Sequence, residues 1–254
     1  MSAHASQKPV IVLVHGAFAD HHAFDAVRPL LEQRGWNVLT PDLPGHGDDA
    51  TPVSEITLDL YVDAIARVVE SQPAGVVLAG HSMAGMVVSQ VAERLPQHLR
   101  AVLYMAAYLP QDGQSLQQLA QGDGESLVGQ NMEFAADYST VSIKSAAVGE
   151  AIAGDLPLEV QAYIASSQRP EPLAPFQGAV HLSAANFGAV PKGYLSTTLD
   201  RAVTPALQKQ MLAATPVVKV EHIATSHLPF VAKPQECVEK LLALLEAAAP
   251  VSSR

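Results

Sequence analysis

An α/β fold built on a mostly parallel, doubly wound sheet is predicted by three observations: short β-branched runs that end in loops, helical stretches between those runs, and a serine in a small-residue turn directly after one of them. Val10-Ile11-Val12-Leu13-Val14 is the first run and leads into His15-Gly16. Residues 26–34 place apolar side chains at Val27, Leu30 and Leu31 and stop at Gly35, which reads as a helix. Residues 38–40 give a second strand, entering the loop Pro41-Asp42-Leu43-Pro44-Gly45-His46-Gly47. A helix over 57–71, with Leu60, Ala64, Ile65 and Val68 on one face, ends before Pro73. The third strand, 76–79, precedes the serine turn; a helix over 83–94 and the strand Ala101-Val102-Leu103-Tyr104-Met105 follow. Such alternation implies parallel strands covered on both faces.

The pattern lapses from about 109 to 190 into turns rich in Gln, Gly, Ser and Pro, with a short helical stretch at 158–166. So long an irregular passage inside a compact domain predicts a small mobile cap over a site. The sheet pattern returns at 194–198 and 217–220, separated by a helix over 205–213. Pro234 opens a last helix carrying Val238, Leu241, Leu242 and Leu245 on one face. The predicted organisation is therefore a core made of 1–108 and 191–254, with 109–190 inserted. No internal repeat interrupts it.

Composition narrows the function. Hydrophobic residues make up 48% of the 254 and charged residues 16%, which suits a large buried sheet. The net charge is −10 and the 15 Lys and Arg form no run, so neither nucleic acid nor an anionic membrane surface is the expected partner. No stretch approaches the ~20 apolar residues of a membrane span. The polar start of the chain has no apolar core of a signal peptide, and the end, 247–254, reads as a frayed tail. A cytoplasmic protein is expected. One cysteine, Cys237, in the last helix reads as a packed thiol. Neither a nucleotide-binding glycine motif nor a Cys/His metal spacing is present, so no cofactor and no metal are expected.

The chemistry concentrates at Gly80-His81-Ser82-Met83-Ala84-Gly85, a G-x-S-x-G turn with alanine in its last place. A serine hydroxyl is a weak nucleophile until a base accepts its proton and a carboxylate orients that base. In doubly wound hydrolases the partners follow as serine, acid, histidine. Asp200, just past the strand 194–198, and His227, in the loop before the last helix, supply that order, with Asp112 as reserve acid. His46 reads as a turn-shaping residue, and His21, His22 and Asp25 as a helix entry rather than a metal site. The amides of Met83 and Ala17 are the candidate oxyanion hole, with Phe18 as substitute for Ala17. Phe18, His81, Leu228 and Phe230 flank these positions and are the candidate substrate contacts, Met83 also touching the pocket.

Taken together, Val14-His15-Gly16-Ala17-Phe18, Pro41 to Gly47, Gly80 to Gly85, Thr197-Thr198-Leu199-Asp200-Arg201 and Ser226-His227-Leu228-Pro229-Phe230 resemble the α/β-hydrolase superfamily. The likeness is to the branch of plant methylesterases, hydroxynitrile lyases and related bacterial carboxylesterases. It implies the α/β-hydrolase fold with a small inserted cap, and a cofactor-free serine carboxylesterase acting through an acyl-enzyme on a small to medium apolar ester. A homodimer is compatible with it. The lyases of that branch resemble one another in a threonine where this chain has Gly16, a glutamate at His81 and a lysine at Leu228, so lyase action is disfavoured. Lyase-like or other carbon–carbon cleavage on the same triad remains one alternative, and a slow-turnover ligand-binding receptor the other.

Overall fold

Residues alternate between two apolar faces along β1 (Val10–Val14): Val10, Val12 and Val14 pack into one core, Ile11 and Leu13 into the other. A strand buried on both sides must lie inside a layered sheet, and it does. In this computed structural model, which describes residues 8–248, the sheet also holds β2 (Asn37–Leu39), β3 (Val76–His81), β4 (Leu99–Met105), β8 (Lys192–Thr197) and β9 (Lys219–Ile223). Its order is β2-β1-β3-β4-β8-β9 and every pairing is parallel. The readings made for the first residues of the chain and for 249–254 lie outside the described residues.

Helices cover both faces. On one side α2 (Leu58–Glu70), α3 (Ala84–Arg94) and α9 (Pro205–Ala214) contribute Tyr61, Ile65, Val87, Val91, Leu207 and Met211. On the other, α1 (Arg28–Gln33) contributes Leu31, α10 (Pro229–Ala232) contributes Phe230, and α11 (Pro234–Ala247) contributes Val238, Leu241, Leu244 and Leu245. Cys237 is fully buried there, and burial pushes its thiol up to about 12, which leaves it inert as a nucleophile at neutral pH. Among the described residues no helix is long and apolar enough to cross a membrane.

Two strand boundaries differ from the sequence expectation for identifiable reasons. β8 starts two residues early at Lys192, whose buried ammonium donates to the carbonyls of Phe187 (2.6 Å) and Val190 (2.7 Å) and lies 4.3 Å from the Phe187 ring. A lysine at the head of a buried strand hides that strand from a hydrophobicity pattern. β9 runs through the polar residues Glu221 and His222 rather than Val217 and Val218 because it is the edge strand, whose side chains are incompletely covered on both faces.

The segment between β4 and β8 is ordered rather than irregular. It contains α4 (Leu116–Gln121), α5 (Leu127–Gln130), α6 (Ser145–Ala153), α7 (Leu158–Ser167), α8 (Ala174–Gln177) and a three-stranded antiparallel sheet. That sheet pairs β5 (Met132–Phe134), β6 (Thr140–Ile143) and β7 (Glu171–Pro172). Its packing divides in two. Leu116, Leu119, Phe176, Val180 and Phe187 join the main core, whereas Ile143, Val148, Ala151 and Ile152 form a small core of their own.

Candidate active site

Each candidate chemical group sits just beyond the carboxyl end of a parallel strand, the edge at which sites of open α/β sheets form. Ser82 follows β3 with φ 53°, a left-handed conformation that costs a serine of order 1–3 kcal/mol. The turn holds it there: the Ser82 carbonyl accepts the amides of Gly85 (3.1 Å) and Tyr108 (3.1 Å), and its own amide donates to Met105 (3.3 Å). The alanine in the last place of the motif is tolerated because the tight approach falls one residue later. A Cβ on Gly85 would lie 1.9 Å from the Tyr108 carbonyl, so that position, not Ala84, requires glycine. Gly16 is equally constrained, since a Cβ there would meet Ser82 Cβ at 2.8 Å.

Asp200 is buried and its carboxylate is held on both oxygens. Oδ1 accepts the amides of Ala202 (2.8 Å) and Val203 (3.0 Å); Oδ2 accepts the Thr197 hydroxyl (2.7 Å) and Nδ1 of His227 (2.8 Å). With Nδ1 donating to the carboxylate, Nε2 of His227 is left as the basic atom. Asp112 has no part in this: its carboxylate accepts the Leu182 amide at the surface. The imidazole of His227 and the hydroxyl of Ser82 line the same cavity, of about 580 Å³, although no hydrogen bond joins them among the described residues. Such bonds are often long in unliganded enzymes and tighten around substrate.

The amides of Ala17 and Met83 have no acceptor among the described residues and flank the cavity. Phe18 is a different case, because its amide already has an acceptor. Its amide donates to Glu171 Oε2 at 2.8 Å, with the residue at φ 63°. Phe18 and Leu228 form part of the cavity wall. Phe230 also reaches it but is almost wholly buried, edge-on against His81 (centroids 4.8 Å) and near Phe24 (5.1 Å). His81 donates from Nε2 to the His227 carbonyl (2.9 Å), and its ring lies 4.5 Å from that of His227. Burial holds His81 well below the ordinary imidazole value, so it is neutral at pH 7. Apolar side chains from the inserted segment, including Val128, Ile143, Ile152 and Ile164, close the far wall. Among the described residues no three His, Cys, Asp or Glu side chains gather as a metal site.

Residues 11–240 match the family described as the Alpha/beta hydrolase family. The chain belongs to that family. A pyrethroid hydrolase of Sphingobium wenxiniae is 27% identical over 252 residues, covering 94% of this chain and 88% of its own length. A chloroplastic methylesterase of Arabidopsis thaliana, methylesterase 11, is 29% identical over 248 residues, which cover 91% of this chain; the chain spans 62% of that relative. A crystal structure of a pyrethroid hydrolase superposes with TM-score 0.84 at 23% identity, over 96% of this chain and 100% of that one, and so shares the fold. The methylesterase branch is the one the sequence motifs resembled.

Within this member of the α/β hydrolase family the loops carrying the candidate groups are held by residues the sequence did not single out. The inserted segment bonds to the Asp200 loop through Asp123 to the Thr204 amide (2.9 Å), Ser126 Oγ to the Ala202 carbonyl (2.7 Å) and the Leu127 amide to the Arg201 carbonyl (2.8 Å). It bonds to the His227 loop through the Ile152 carbonyl, which accepts the His227 amide (3.1 Å), and Asp155, which accepts both the amide (2.9 Å) and hydroxyl of Ser226. The segment expected as a cap is thus tied to the strand-edge loops at several points. His46, read as a turn residue, is buried against Glu171 as well as bonded to the Pro44 carbonyl. His21 and His22 bond to Asp42 and Asp25.

Proposed function

We propose that this hydrolase is a cofactor-free serine carboxylesterase that cleaves small to medium, largely apolar esters. The observation that carries the reading is the oriented pair: Asp200 holds the His227 imidazole with its basic nitrogen free, in the same cavity as a serine held at a strained strand-to-helix turn. Ser82 Oγ attacks the ester carbonyl while His227 Nε2 takes its proton; the Ala17 and Met83 amides donate to the oxyanion. His227 then returns the proton to the departing alkoxide, leaving an acyl-enzyme. Water, deprotonated by the same nitrogen, releases the acid and restores the hydroxyl. Asp200 stabilises the imidazolium formed in each half. An apolar wall and a volume typical of small-molecule sites fit an uncharged acyl group. Relatives bearing the names methylesterase and pyrethroid hydrolase support ester cleavage as the reaction class.

The direct test is a panel of carboxylic esters of graded acyl length, hydrolysed by the wild type and by Ser82→Ala. The variant is expected to lose about 10⁶-fold in kcat. Retention of more than a hundredth of the activity sinks the serine mechanism. Cyanide release from an aromatic cyanohydrin, measured alongside, is expected to be negligible, because Leu228 offers no cation to a departing cyanide.

A further inference from the structure

Glu171 is a fully buried carboxylate from β7, in the inserted segment, far in sequence from everything it touches. Three core elements converge on it. Oε2 accepts the Phe18 amide (2.8 Å) and Nε2 of His46 (2.9 Å), and Oε1 accepts the Tyr61 hydroxyl (3.2 Å) from α2. Both His46 nitrogens face acceptors only, the Glu171 carboxylate and the Pro44 carbonyl (3.2 Å), so both must carry protons, and His46 is a cation that neutralises the buried charge. Burial is the largest single influence and disfavours that cation, but the bond and charge of Glu171, the Pro44 carbonyl and the charge of Asp42 together outweigh it and raise the His46 pKa. Phe18, meanwhile, stands at φ 63°, which a phenylalanine holds only where surrounding contacts over-determine it. The hydrogen bond from its amide to Glu171 is the polar contact that fixes this turn, and the preceding residue, Ala17, lines the cavity with an amide that has no acceptor among the described residues.

We propose that Glu171 is a positioning residue for the oxyanion hole: from the inserted segment, with His46 as counter-ion, it clamps the loop whose Ala17 amide receives the developing negative charge. The proposal rests on the esterase reading above. Without the clamp, Phe18 relaxes toward negative φ and the Ala17 donor loses its aim, which weakens transition-state stabilisation more than substrate binding.

The experiment compares wild type, Glu171→Ala and Glu171→Gln by steady-state ester kinetics, by inhibition with a trifluoromethyl ketone that forms a tetrahedral adduct on the serine, and by amide hydrogen exchange. Glu171→Ala is expected to lose about 100-fold in kcat with KM within threefold, and its ketone affinity to fall in proportion to kcat/KM. Glu171→Gln keeps an acceptor for the Phe18 amide and is expected to lose less than tenfold. Exchange is expected to accelerate over residues 15–19 and not in α3. An unchanged kcat, a loss confined to KM, or exchange that rises evenly along the chain overturns the proposal. Should Glu171→Ala fail to fold, Glu171→Met, which fills the space but offers the Phe18 amide no oxygen, takes its place: wild-type kcat together with wild-type loop exchange in that variant overturns the proposal. If the wild type cleaves no ester, the esterase reading fails separately, and the exchange comparison still judges the clamp.

Discussion

The parallel sheet and the inserted segment reach the same cavity by different means. Ser82, Asp200 and His227 lie one, three and four residues beyond the ends of β3, β8 and β9, so backbone topology delivers them to one edge. The segment between β4 and β8 delivers no candidate nucleophile or base. It supplies Glu171, Asp155, Asp123 and the Ile152 carbonyl, which grip the loops on which the other groups stand. Placement by a sheet survives many substitutions, because it depends on the whole core. Placement by a clamp depends on single side chains. Losses at the sheet edge should therefore remove the chemistry outright, whereas losses in the segment should blunt it and loosen one loop.

The largest expected effect belongs to the sheet edge. Asp200→Asn should lower kcat by about four orders of magnitude, as in related triads, because the amide no longer fixes the productive imidazole tautomer. Asp112→Asn should leave kcat within twofold, since that carboxylate only accepts the Leu182 amide. A loss below tenfold for the first, or above tenfold for the second, breaks the assignment of acid. Next comes Gly16→Thr, a change toward the lyase pattern of the branch. Its side chain would collide with Ser82 Cβ, so kcat/KM should fall about 100-fold, and a crystal structure should show the serine or the loop displaced. Wild-type kinetics would mean that the loop yields more easily than its contacts suggest.

Asp155→Ala sharpens the comparison from the other side. It removes both acceptors of Ser226, beside His227, and should cost about tenfold in kcat with faster amide exchange confined to residues 224–228. A loss as large as that of Asp200→Asn would erase the distinction between the two regions.

The smallest effect on activity is a pH dependence of stability. Burial lowers His15 to about 4; its Nε2 accepts the Leu43 amide at 3.1 Å, which requires the neutral ring. As pH falls below the ordinary value of 6.5, the unfolded chain gains a proton that the folded chain refuses. Stability is therefore lost progressively toward pH 4, by of order 3 kcal/mol from this residue. His81 acts in the same direction, and His46, with its raised value, in the opposite one. The urea midpoint should fall between pH 6.5 and 5 and fall less in His15→Asn. A flat midpoint across that window contradicts the neutral His15.

How far the sequence reveals this molecule follows the same division. Strands buried on both faces announce themselves as β-branched runs, and a nucleophile turn needs small residues at fixed offsets, so β1, β3, β4 and the Ser82 turn are readable. Asp200 and His227 are readable because strand-edge loops in a fixed chain order leave few candidates. The inserted segment offers no such regularity: β5, β6 and β7 have three, four and two residues, too few for a period to show. One local signal was available there. Ser115 and Gln118 form a capping box at the start of α4, a pattern visible as Ser-Leu-Gln-Gln. Glu171, Asp155 and Asp123 had none, because a buried clamp is defined by partners as much as 153 residues away. Nothing in the short stretch Arg169-Pro170-Glu171-Pro172 distinguishes that glutamate from a solvated one.

The central claim is that Ser82 is made nucleophilic by an imidazole that Asp200 orients. The most direct measurement is to titrate the active enzyme with a fluorophosphonate and locate the adduct by peptide mass spectrometry. One phosphonyl group per chain on Ser82, with ester hydrolysis lost in proportion and the labelling rate sharply lower in Asp200→Asn, is the predicted result. Full esterase activity in enzyme that carries no label on Ser82, or a labelling rate indifferent to Asp200, would contradict it.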